Sequence, residues 1–131
     1  VYVGSISLGA NMMQTIKVLK EAEEHNGPSI IIAYCPCVEH GIKGGLSCTN
    51  KEQKLAVECG YFTLMHYNPM EEKLYIDSKE PDFTKYDEFL NNEVRYSALK
   101  IKNKEIANEL IEINKNNAIK RYEYYKKLSE N

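Results

Sequence analysis

Within the eleven residues Cys35-Pro-Cys37-Val-Glu-His40-Gly41-Ile-Lys-Gly44-Gly45 stand two thiols, an imidazole and three glycines. A thiolate held in such a loop can ligate a metal or act as a nucleophile. An imidazole beside it can ligate or move a proton, and glycines let the backbone approach a neighbour or cofactor closely. Cys37 is the leading candidate, because it follows Pro36, which holds Cys35 extended. Cys35 is weaker, since one intervening residue is tighter than the roughly two to four of zinc knuckles. Cys48 sits beside a predicted helix N-terminus, where the dipole lowers a thiol pKa. Cys59 falls on the apolar face of a helix and is expected in the core. His66 alternates along a strand and is expected to be structural. Asp77, Glu80 and Asp82 form a carboxylate group that a solvated turn explains. The glycine loop fits neither a Walker nor a Rossmann fingerprint. These residues leave two classes open. One is a redox or metal enzyme; the other is a free-standing zinc or scaffold module in which Cys37, Cys48, Cys59 and His40 converge.

The elements that must position these groups follow from periodicity and caps. Residues 1–7 alternate like a strand. Asn11 and Gln14 stand at N-cap and N3 spacing of a helix. Met12, Ile16 and Leu19 form its expected core stripe, widened by Val18 and Ala22. Asn26-Gly27-Pro28 ends it. The run at 29–34 is wholly apolar after Ser29 and reads as a strand buried on both faces. Strand, helix and strand imply a right-handed crossover between parallel strands, and ligands of such sheets sit beyond the strands' carboxyl ends. Thr49 and Glu52 carry capping-box spacing for a second helix closed by Gly60. A third strand is expected at 61–67 and a short antiparallel one at 74–76. Asp82 is placed to cap a helix at 83–90. A long helix is expected at 103–128, with its stripe on Ile106, Leu110, Ile113, Ala118, Tyr122, Tyr125 and Leu128.

With 131 residues, 43% hydrophobic and 27% charged, the chain has the composition of one ordinary globular domain or less. A net charge of −2 argues against nucleic acid. No apolar run approaches the ~20 residues that span a bilayer, and the first residues lack a signal-peptide pattern. Four cysteines without secretory features suit a reducing cytoplasm, where such thiols bind metal or react. An opening in mid-strand, at Val1, suggests a piece of something larger.

Several segments resemble, in collinear order, the carboxyl-terminal end of the pyruvate:ferredoxin (flavodoxin) oxidoreductases. They are Tyr2-Val-Gly-Ser-Ile-Ser-Leu-Gly-Ala-Asn11, Leu19-Lys-Glu-Ala-Glu23, Gly27-Pro-Ser-Ile-Ile-Ile-Ala-Tyr34 and Pro36-Cys-Val-Glu-His-Gly-Ile42. Lys54-Leu-Ala-Val57, Tyr67-Asn-Pro69, Asp77-Ser-Lys-Glu-Pro-Asp82, Glu93-Val-Arg-Tyr96 and Arg121-Tyr122 complete the set. The resemblance implies a multidomain enzyme that oxidatively decarboxylates pyruvate on thiamine diphosphate and Mg2+. It would form acetyl-CoA from coenzyme A and pass electrons through [4Fe-4S] clusters to ferredoxin or flavodoxin. The expected fold is α/β: residues 1–102 as the second half of a thiamine-diphosphate-binding domain with a mainly parallel sheet, and 103–131 as a terminal helix. The resemblance aligns Cys37 with one cysteine ligand of the cluster nearest the thiamine. Motifs for magnesium and pyrophosphate, the other ligands and the ferredoxin-like domain are absent from these residues. A homodimer and the enzyme's remaining domains are implied as partners.

Overall fold

A computed structural model describes residues 1–130. Its sheet has the order β2-β1-β3-β4. The strands are β1 (Tyr2–Ile6), β2 (Ser29–Ala33), β3 (Met65–Asn68) and β4 (Lys73–Ile76). β1 and β2 are parallel, with Gly4 opposite Ile31; β1–β3 and β3–β4 are antiparallel. The sheet is therefore mixed, which corrects the expectation of a mainly parallel one. The crossover helix α1 (Met12–Glu24) makes the expected β-α-β unit, and Asn11 caps it by accepting the Gln14 N–H at 3.0 Å.

Two expectations about these elements are overturned. β2 is an edge strand, and Ile30 and Ile32 are 54% and 51% exposed instead of buried. On α1, the residues turned to the sheet are Gln14, Thr15 and Val18; Met12, Ile16 and Leu19 lie outside. The reason is polar. Gln14 Nε2 donates to Ser5 O at 3.2 Å and to Asp77 Oδ2 at 2.9 Å, which fixes the helix rotation. Val18 then seals a small core with Tyr2 and Ile6.

A 3-10 turn (Leu46–Cys48) leads into α2 (Thr49–Glu58), and another (Phe83–Lys85) into α3 (Tyr86–Asn92). Thr49 and Glu52 form no capping box: Thr49 Oγ1 donates back to Leu46 O, and Glu52 turns inward. The third strand begins at Met65, not at residue 61. Tyr61 instead stacks into the larger core, its ring 4.5 Å from that of Phe89. That core joins Leu55, Ala56, Cys59, Tyr86, Phe89, Leu90, Ile111 and Ala118. The sequence gives no sign of α4 (Val94–Lys102), which has no side-chain cap. α5 (Lys104–Glu130) starts after Asn103, whose side chain accepts the Ile106 N–H at 3.1 Å. Its inward residues are Ala107, Ile111 and Ala118, while Ile106, Leu110, Ile113 and Leu128 stay largely exposed. No helix of the described residues is long and apolar enough to cross a membrane.

Candidate functional site

The loop after β2 is built on an anchored stem. Tyr34 N donates to Ile6 O at 2.9 Å, extending the β1 pairing past the end of β2. Ser7 Oγ and Gly9 N donate to Gln53 Oε1 at 2.8 and 2.9 Å, tying the neighbouring β1 exit to α2. Pro36 is buried, so the chain turns outward at Cys37 with its predecessor pinned. Gly41 N closes a turn on Cys37 O at 3.0 Å. Gly41 adopts φ +76°, a left-handed conformation that a Cβ would strain.

The far side of the loop is clamped to the junction of α3 and α4. Ile42 and Glu93 form an antiparallel bridge; Lys43 N donates to Asn92 O at 2.9 Å and Val94 N to Gly41 O at 3.2 Å. Cys37 is thus half-buried on a loop fixed at both ends. Its thiol is held below the ordinary value, first by the backbone N–H of His40, then by the His40 ring and the Glu39 N–H. A lowered thiol pKa favours the thiolate, the form that binds metal.

Beneath the loop lie two buried carboxyl groups. Glu93 is fully buried; Tyr34 Oη donates to its Oε1 at 3.4 Å, and Arg95 Nε stands 3.3 Å from its Oε2 without an aligned hydrogen bond. Asn92 Nδ2 donates to Glu52 Oε2 at 3.1 Å, leaving Glu52 Oε1 without a partner. Burial pushes the Glu52 carboxyl up to about 7, opposed by the Asn92 hydrogen bond and reinforced by the charges of Glu93 and Glu88. Burial also raises Glu93, against the pull of Arg95, Tyr34 and His40. The Cys37 loop therefore rests on two buried carboxyls whose pKa values burial raises.

The other candidates go elsewhere. Cys35 is exposed, with Gln53 Nε2 at 4.0 Å from its sulfur. Cys48 Sγ donates to Gly44 O at 3.4 Å. Cys59 is buried in the larger core as expected, where burial pushes its thiol up to about 12. Among the described residues, no three or more His, Cys, Asp or Glu side chains gather as a metal site. The convergence of Cys37, Cys48, Cys59 and His40 is thereby corrected: these thiols are dispersed over a loop, a helix start and a core. His66 is structural as expected, 3% exposed, with Nδ1 2.9 Å from Asp77 Oδ2 and Tyr75 stacked at 4.9 Å. Asp77 is accordingly no solvated turn residue. Burial alone would raise its pKa, yet hydrogen bonds from His66 and Gln14 bring it below the carboxylate range. Asp82 does cap, accepting the Thr84 N–H at 3.0 Å.

Sequence reasoning missed Glu52, Glu93, Tyr34 and Arg95 as neighbours of the loop. Glu52 carried a capping signal that pointed outward, and Glu93 and Arg95 registered only within a resemblance.

Fold and site together define a mixed α/β unit that carries Cys37, a thiol with a lowered pKa, on a clamped strand-end loop. Sequence comparison gives that unit its place. The chain is 40% identical over 98% of its length to a pyruvate-flavodoxin oxidoreductase of Enterobacter agglomerans. It is 42% identical over 99% to a pyruvate:ferredoxin oxidoreductase of Moorella thermoacetica. A pyruvate dehydrogenase [NADP(+)] of Cryptosporidium parvum is 37% identical over the whole chain. No family model matches. The chain corresponds to a segment of these pyruvate oxidoreductases and spans about a tenth of their length, 11% of the first two and 7% of the third.

Proposed function

We infer that this chain is part of an enzyme that oxidatively decarboxylates pyruvate to acetyl-CoA and CO2 and passes electrons through iron-sulfur clusters to ferredoxin or flavodoxin. The observation that carries this reading is the match along nearly the whole chain to oxidoreductases named for pyruvate and for those carriers. Residues 1–102 belong to the later half of a thiamine-diphosphate-binding domain, and residues 103–131 are a helix packed on it. Thiamine diphosphate and Mg2+ are held by the remaining polypeptide, which also admits pyruvate and coenzyme A. The enzyme works as a homodimer in the cytoplasm.

This segment contributes Cys37 as one ligand of a [4Fe-4S] cluster, a group that carries single electrons when bound. The donor set supports that role and no larger one. A four-iron cluster takes four thiolates, and the other three thiols of this chain are directed elsewhere. The N–H groups of His40 and Glu39 stabilise negative charge on the Cys37 sulfur. The bridge between Ile42 and Glu93 holds the loop so that the sulfur is placed before iron arrives.

The test is Cys37→Ser in the full-length enzyme, purified without oxygen. It should lose about four irons per polypeptide and one cluster's electron paramagnetic resonance signal, while thiamine diphosphate binding persists. Unchanged iron content and spectra would remove Cys37 from the ligand set.

A further inference from the structure

Two carboxyls beneath the Cys37 loop share one guanidinium. Glu52 turns inward from α2 and Glu93 stands at the junction of α3 and α4; they are 3% and 0% exposed. Arg95 Nε, 3.3 Å from Glu93 Oε2, offsets the charge of Glu93. Glu52 has no buried counterion among the described residues: its one hydrogen bond comes from the uncharged Asn92, and Oε1 has no partner. The charges of Glu93 and of Glu88 on α3 oppose its ionisation, and Lys51 on its own helix favours it. Tyr34 and Cys59 face it as neutral groups, since burial raises both and carries the Cys59 thiol to about 12. Glu52 is therefore the member of the pair that gains and loses a proton near neutrality, where burial sets it at about 7.

Backbone and side chains join this pair to the loop. Lys43 N donates to Asn92 O at 2.9 Å and Val94 N to Gly41 O at 3.2 Å, so the loop is fastened on both sides of Glu93. Tyr34, three residues before Cys37, donates to Glu93 Oε1 at 3.4 Å. His40 of the loop also acts on Glu93, lowering its pKa against the effect of burial. Negative charge added at the Cys37 sulfur, or on iron bound to it, reaches the pair through this packed wedge, where water screens it weakly.

We propose that Glu52 is a positioning residue for the electron step: it takes up a proton when the cluster held in part by Cys37 is reduced and releases it when that cluster is oxidised. This rests on the reading of Cys37 as a cluster ligand. One electron from pyruvate oxidation enters the cluster, and one proton from water binds Glu52 Oε1, so no net charge is added beneath the loop. When the electron leaves for the carrier protein, the O–H bond breaks and the proton returns to water. Added negative charge raises a carboxyl's pKa, so protonation and reduction favour each other. The coupling is reciprocal: the factor by which reduction tightens proton binding is the factor by which protonation tightens electron binding.

Redox titration of the full-length enzyme tests this, followed through the paramagnetic resonance signal that Cys37→Ser abolishes. At one fixed potential the ratio of reduced to oxidised cluster should fall at least about fivefold between about pH 6 and 8.5. Glu52→Gln keeps an acceptor for Asn92 and cannot titrate, so it should remove most of that dependence. It should also abolish a protonated-carboxyl band that grows on reduction in infrared difference spectra. Asn92→Ala deletes the hydrogen bond that lowers the Glu52 pKa, and should move the dependence to higher pH. A ratio independent of pH in the unaltered enzyme would overturn the proposal, as would a dependence and a band that Glu52→Gln leaves in place. Cys37→Ser separates the two readings. If it abolishes no cluster signal, the ligand reading fails and the coupling with it; if it abolishes one while Glu52→Gln changes nothing, the ligand stands and the coupling alone falls.

Discussion

Glu52 has the most to lose from its position. Its carboxyl is 3% exposed, holds one hydrogen bond from Asn92 and has a second oxygen with none. Ionising it there costs more than in water, which is why its pKa rises to about 7 from 4.5. Glu52→Gln keeps an acceptor for Asn92 and removes the charge. It should stabilise the chain at pH 8 by about 1–3 kcal/mol and change little at pH 4.5. Urea denaturation at the two pH values checks this; equal effects at both would show that Glu52 ionises freely. Cys37 is the opposite case among single residues. Its position on a turn past the end of β2 could be anticipated from Pro36 and the glycines around it, because a proline-pinned turn at a strand end is a local feature. The carboxyls beneath it could not, since Asn92, Glu93 and Arg95 lie more than fifty residues along the chain.

Elements obey the same division between local and long-range causes. α1 and β1 approach so closely that a Cβ at Gly4 would stand 2.3 Å from Val18 Cγ1 and 2.9 Å from Ile31 Cδ1. Gly4→Ala should therefore cost about 1–3 kcal/mol by overpacking, and Val18→Ala about 1–2.5 kcal/mol by leaving a void. The double substitution should cost clearly less than the sum, because the alanine methyl occupies space that Val18 vacates. Thermal or urea unfolding of the four proteins measures it, and strict additivity would mean that the contact is relieved elsewhere. The existence and N-cap of α1 were legible, because Asn11 and Gln14 are neighbours in sequence. Its rotation was not, because Gln14 finds Ser5 and Asp77 across the fold. The apolar stripe and the apolar strand both announced burial, yet within these residues both are open. α4 escaped notice because its start at Glu93 serves the loop bridge and offers no side-chain cap.

At the scale of the whole molecule, the buried ionisable groups set a pH profile that composition would not suggest. Asp77 has a lowered folded pKa, so its contribution is present above its unfolded value of 3.8 and is lost as pH falls through the lower folded value. Glu52 and Glu93 have raised folded pKa values. Their contribution is full below about 4.5 and drains away as pH climbs, for Glu52 through about 7. Tyr86, buried in the larger core with its pKa raised to about 12, resists ionisation and loses its contribution as pH rises from 10 through that value. Two falling limbs on the alkaline side and one on the acid side place the maximum at about pH 4–5.5, below neutrality. The purified chain should show its highest urea midpoint there. Asp77→Asn should flatten the acid limb alone, because the His66 contact loses its charge, whereas Glu52→Gln should flatten the fall between pH 5 and 8. A maximum at or above pH 7.5 would mean that solvent reaches the carboxyls under the Cys37 loop. The loop would then stand on a hydrated base, and its clamp would rest on the Ile42–Glu93 backbone bridge without the buried side chains.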